Sequence, residues 1–175
     1  MDWYTSVFEL IDMRSFSNLW FWIALAVLWS TASHWVLGVP WDLVLRASKS
    51  EGRTVSDMEV LVRINGDRLL FIARESGLLI TGFAGFVLTA LFLLGFVYHR
   101  EFAQAVFLLG SPMGLVWLLS VNTAVKVQRL ELSGTDLIRQ LTRLRLYIRI
   151  IGVISIFITA TWGMWQNMSS SVLGG

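Results

Sequence analysis

A chain of 175 residues that is 55% hydrophobic and only 15% charged, with a mean hydropathy of +0.66, falls outside the range of soluble domains, where about a quarter of residues are charged. Its net charge of +2 does not by itself suggest nucleic acid, and the lack of cysteine excludes disulfides and thiolate ligation by this chain alone. These values describe an integral membrane protein.

The N-terminus, MDWYTSVFELIDMR, is acidic and aromatic, whereas a cleaved secretory signal needs a basic start and a small-residue cleavage site. The first apolar run is therefore expected to stay in the mature protein. A hydrocarbon core about 30 Å thick takes roughly 20 apolar residues in a helix. Residues 16–39, 77–98, 102–125 and 148–168 each qualify. The expected fold is all-α: an integral membrane four-helix bundle with two helical hairpins protruding on the cytoplasmic side.

After Pro40 the first connecting segment, 41–76, runs WDLVLRASKS, then the polar EGRT, then VSDMEVLVRINGDRLLFIARES. Ser56 and Glu59 have capping-box spacing, and Met58, Leu61, Leu69 and Ile72 can share one helical face. Asn65-Gly66 is a strong hairpin signal. An isolated two-stranded hairpin is marginal in water, however, so a helix leading into the second span is preferred. The third span continues as VNTAVKVQRLEL, turns at SGTD, and resumes as LIRQLTRLRLYIR. Gly134 suits that turn, and Thr135 or Asp136 could cap the returning helix. Leu137, Leu141, Leu144 and Ile148 recur at helical spacing, with Arg139, Arg143, Arg145 and Arg149 on the other faces.

Of the 14 Lys and Arg, six lie between spans one and two and six run from Lys126 to Arg149, five of them between spans three and four and Arg149 at the very start of span four, leaving only Arg14 and Arg100 elsewhere. Cytoplasmic loops collect such residues. Segments 41–76 and 126–147 are therefore expected inside, with both termini periplasmic and the protein in a bacterial inner membrane. The aromatic belts agree: Trp3, Trp20, Trp22, Tyr98, Trp162 and Trp165 fall at the outer edge, and Trp35, Trp41 and Tyr147 near the inner one.

Small residues mark candidate packing faces: Gly77, Thr81, Gly85 and Thr89 in span two, and Gly110 and Gly114 in span three. Close packing of these two spans is the expected use, with self-association as the alternative. Pro112 between the two glycines removes a backbone hydrogen bond and is expected to kink the third helix. No Asp, Glu, Lys or Arg lies in the central part of any span. His34, with Asn122 and Lys126 at a similar depth, could form a small polar cluster. A bis-histidine haem fails in a monomer because His99 lies at the opposite edge. Lys126, Arg129, Arg139, Arg143, Arg145 and Arg149 form a basic region for anionic lipid or an acidic partner. No nucleophile triad, metal-ligand spacing or phosphate loop occurs, so neither enzyme activity nor a cofactor is expected.

The stretch VFELIDMRSFSNLWFWIALAVLWSTASHWVLGVPWDLV, residues 7–44, resembles a family of small alphaproteobacterial membrane proteins labelled "component of SufBCD complex". The resemblance implies association with iron-sulphur cluster assembly and carries no catalytic residues. The sequence thus points to a non-enzymatic membrane scaffold or accessory subunit whose partners are membrane lipid and a protein or a second copy. Neither nucleic acid nor a small-molecule substrate is expected. The alternatives are a small oligomeric channel or transporter using the kinked third helix, and an accessory subunit of a respiratory or photosynthetic complex.

Overall fold

The computed structural model describes residues 16, 19–50 and 52–172, so Trp3, Arg14 and the acidic N-terminal stretch lie outside the described residues. In chain order the elements are α1 (Leu19–His34), a β1 (Trp35–Val36) and β2 (Val39–Pro40) ribbon, α2 (Trp41–Ala47) and α3 (Arg53–Glu75), followed by α4 (Gly77–Phe92). A π-helical segment (Leu93–Val97) extends α4 before α5 (Glu101–Arg129) and α6 (Gly134–Val172). Three helices, Gly77–Val97, Glu101–Arg129 and Gly134–Met168, are long and apolar enough to cross a membrane, while Leu19–His34 is shorter. The protein is an all-α membrane protein apart from the small ribbon.

The first apolar run leaves helix at His34 rather than continuing to Val39. Leu37 and Gly38 both take positive φ, 54° and 72°, which makes a tight turn of the type that joins twisted antiparallel strands. Val36, Leu37 and Val39 are buried, so the turn is held by core packing. Asn65 supports it by donating from Nδ2 to the Gly38 carbonyl at 3.0 Å. Asn65-Gly66 therefore lies inside a continuous helix, as preferred from the sequence, and Asn65 holds another turn in place.

The buried stripe of α3 is Met58, Val62, Gly66 and Leu70, each four residues apart. Leu61 and Ile72, expected beside Met58, are exposed, because the core favours the adjacent i, i+4 row. The helix starts at Arg53, so Ser56 lies within it and forms no capping box with Glu59. Glu59 instead reaches the far hairpin, where its Oε1 accepts the Gly134 N–H at 2.6 Å. Thr135 and Asp136, the expected caps, fall in the first turn of α6.

One stripe runs the length of α6. Leu137, Leu141, Leu144 and Ile148 are buried, and Gly152, Ser155, Thr159 and Gly163 continue the row. Residues 137, 148 and 159 occupy equivalent positions, an eleven-residue spacing close to the natural period of a straight helix. The other faces change in step. Around the leucines they expose Arg139, Thr142 and Arg143; beyond Arg149 they expose Ile150, Val153, Ile154 and Phe157. This is the pattern of a helix leaving water for lipid. Its seam changes accordingly from large apolar residues to small ones, which is how helices approach where lipid competes equally for apolar surface.

The tight approaches occur at glycines outside the two expected stripes. A Cβ at Gly152 would lie 2.8 Å from the Trp29 ring, one at Gly163 would lie 3.2 Å from Phe16, and one at Gly95 would lie 2.9 Å from the Gln104 nitrogen. Gly77, Gly85 and Gly114 face nothing within 4 Å, and Gly110 meets only the Leu88 side chain at 3.8 Å. Thr81 and Thr89 are exposed, and the Thr89 hydroxyl donates to the Gly85 carbonyl at 2.8 Å within its own helix. Spans two and three do pack against each other, with Gly110 meeting Leu88, but Gly77, Gly85 and Gly114 lie on open faces and do not set that approach: small residues permit close approach only where a partner faces them. Pro112 lies inside α5, which runs on through it.

These distances separate two classes of glycine. Gly95→Ala and Gly152→Ala are each expected to lower stability by about 1–3 kcal/mol through overpacking. Gly85→Ala and Gly114→Ala should stay within about 0.5 kcal/mol. Reversible unfolding in one detergent would compare all four, and equal losses at Gly85 and Gly152 would contradict the packing described.

Candidate functional site

At the aromatic end of the molecule, Gln104 is 1% exposed and joins three segments. Its Nε2 donates to the Gly95 carbonyl at 2.8 Å, and its Oε1 accepts from Trp162 Nε1 and Gln166 Nε2, both at 3.0 Å. The π-helical segment makes the first contact possible, because its widened turn and the missing Cβ at Gly95 let the α5 backbone approach. Phe92, Phe96, Phe107 and Trp162 pack around this point with ring centroids 5.1–5.7 Å apart. Three of the amide's four hydrogen-bonding positions are used, so Gln104 acts as a clamp.

At the opposite, basic end, Arg145 is built into the fold. Its Nε donates to the Ser33 carbonyl at 3.0 Å, in the last turn of α1, and its guanidinium carbon lies 4.1 Å from the centre of the Trp41 ring. A cation at a helix C-terminus is favoured by the exposed carbonyls there, and the aromatic face adds to the attraction. Gln128 links α3 and α5: Arg74 donates to its Oε1 at 3.2 Å, and its Nε2 donates to Asp67 at 3.4 Å. A cleft of about 530 Å³ opens beside this bridge, lined by Glu59, Arg63, Asp67 and Glu131 among others.

The arginines of α6 do not form one face. At about 100° per residue, Arg139 with Arg143 and Arg145 with Arg149 form two pairs on flanks roughly 120° apart. Arg139 pairs with Asp136 at 3.4 Å, both largely exposed, while Arg143 is exposed with no carboxylate partner among the described residues. Lys126 and Arg129, in the last turn of α5, are exposed as well. His34, Asn122 and Lys126 are each exposed, and no hydrogen bond or ring contact joins them among the described residues. The expected polar cluster does not form because Thr123 and Ala124 take the inward positions on that turn of α5.

Sequence reasoning missed three structural roles: the Gln104 clamp, the Glu59 cap and the Arg145 anchor. Gln104 carried a usable signal, being a lone amide just inside an apolar run. The partners of Glu59 and Arg145 are 75 and 112 residues away, beyond any local pattern. In comparisons with known proteins, the chain matches no family model, no curated protein and no solved structure.

Two variants test these joints. Gln104→Leu is expected to cost about 1–3 kcal/mol, since it removes intramembrane hydrogen bonds and leaves Trp162 and Gln166 without their acceptor. Glu59→Ala removes a helix cap, typically worth about 1 kcal/mol, and should speed amide exchange at residues 134–137 while leaving residues 95–105 protected. Uniform loss of protection in both regions would mean that the two joints are not separate.

Proposed function

We propose that this protein is a non-enzymatic scaffold or accessory subunit of a bacterial inner membrane, a four-helix bundle with both termini periplasmic, whose cytoplasmic hairpins hold a partner protein. The observation that carries this reading is the exposed flank of Arg139 and Arg143, with Lys126 and Arg129 on the neighbouring helix, mounted on a stem of fixed geometry. The stem is held by the buried Leu137, Leu141 and Leu144 seam and by Glu59 at the N-terminus of α6. Exposed cationic side chains on a rigid support suit recognition of an acidic surface, because the backbone ordering that docking requires is already complete.

The resemblance of residues 7–44 to proteins labelled as components of the SufBCD complex supports iron-sulphur assembly as the pathway of that partner. A chain without cysteine would hold such machinery at the membrane and leave cluster ligation to its partners.

The test is affinity purification of the full chain from mildly solubilised membranes, with co-purifying proteins identified by mass spectrometry. An acidic soluble protein is expected, released by high salt and reduced at least about tenfold by the double reversal Arg139→Glu and Arg143→Glu. Arg145 is left intact because its loss would disturb the fold. A chain that purifies alone, or with the same companions after reversal, overturns the docking reading.

A further inference from the structure

The second flank of α6 carries a different chemistry. Arg145 and Arg149 stand one turn apart, and no carboxylate lies within 4.0 Å of either among the described residues. Like charges at this spacing repel, so the pair favours a shared anion. Arg145 is already oriented: its Nε is used by the Ser33 carbonyl and its face rests on Trp41, while its two terminal amino groups have no partner among the described residues. Arg149 is exposed on the same flank.

The surroundings identify the class of anion. Four and seven residues beyond Arg149, Val153 and Ile156 continue this flank and are 68% and 39% exposed. Trp35, beside Ser33 and His34 at the end of α1, is 52% exposed, as interfacial tryptophans are. Two guanidinium groups at the start of an exposed apolar track match a molecule with a phosphate at one end and a hydrocarbon chain at the other. A soluble phosphate would use the arginines and leave the track without a function.

We propose that Arg145 and Arg149 bind the phosphate of an anionic phospholipid whose acyl chain lies along Val153 and Ile156. The site is independent of the docking reading, since it uses the other flank of α6 and residues that the partner test leaves unchanged. Arginine pairs phosphate oxygens bidentately, and an oriented guanidinium adds specificity to the general attraction of basic residues for a charged bilayer.

The experiment is native mass spectrometry of the delipidated full chain, titrated with phosphatidylglycerol and with phosphatidylcholine of the same acyl length. Phosphatidylglycerol should be retained in preference, and Arg149→Gln should weaken that retention roughly five- to tenfold. The melting temperature and phosphatidylcholine binding should not change, since Arg149 is exposed and forms no side-chain hydrogen bond or ion pair among the described residues. Arg139→Gln, the same change of charge on the other flank, should retain phosphatidylglycerol as the unaltered chain does. Equal binding of the two lipids, or equal loss in the two variants, would overturn the site in favour of diffuse charge. Displacement of the lipid by millimolar glycerol phosphate would overturn the assignment to a lipid.

Discussion

The last helix must be packed along a single stripe although its surroundings change partway along it. Around Leu137 to Ile148 the exposed faces carry arginine, and burying leucine against neighbours is driven by water, at about 25 cal/mol per Å² of apolar surface. Beyond Arg149 the exposed faces are isoleucine, valine and phenylalanine, and a buried leucine there would gain little that lipid does not already offer. The stripe continues as Gly152, Ser155, Thr159 and Gly163, where contact depends on closeness. Trp29 lies close enough to Gly152 that a methyl group could not be added without displacing the ring. The position of α1 follows from this contact and from the Arg145 bond to Ser33 at its lower end.

The same scarcity of driving force explains how α4 is retained. None of its residues is buried, so packing alone holds it weakly. It is secured beyond its own end, where the π-helical turn brings Gly95 against α5 and Gln104 donates to the Gly95 carbonyl. At its other end Ser76 leaves helical dihedrals, with φ −119° and ψ 3°, although its N–H still reaches Ile72 and its carbonyl still serves Ile80. Held at one end and jointed at the other, α4 has the weakest lateral support of the long helices. The pair α5 and α6, tied by the leucine seam and by Trp162 and Gln166 on Gln104, forms the rigid part of the molecule.

Elements whose chemistry is periodic were legible in the sequence. Three long apolar helices, the leucine row of α6 and the helix through Asn65-Gly66 all follow from composition and spacing. The turn at Leu37-Gly38 was not, because a leucine at positive φ is disfavoured locally and persists here through burial and the bond from Asn65. The small-residue rows misled for a related reason. Gly85 and Gly152 look alike in sequence, and only the presence of Trp29 opposite one of them distinguishes a packing site from an open face. Of the basic region, its existence was readable and its division was not: Arg145 is an anchor of the fold, which required knowing that Ser33 and Trp41 lie beside it.

That division has an electrostatic counterpart along the helix axis. At about 1.5 Å per residue, Arg145 stands roughly 6 Å from Arg149, Arg143 roughly 9 Å and Arg139 roughly 15 Å, measured away from the apolar boundary. The field of an anionic bilayer surface is screened within a Debye length of about 8 Å at physiological salt. Arg145 and Arg149 lie inside that distance, as the proposed phosphate site requires, and Arg145 is in addition held by Ser33 and Trp41. Arg143 lies at its edge and Arg139 well beyond, so lipid charge does little to stabilise cations there. Asp136 is the only carboxylate paired with either among the described residues, through an exposed contact of the kind worth about 0–1 kcal/mol. The outer pair therefore has the electrostatics of a surface open to a partner in solution, and the inner pair those that the proposed lipid site requires.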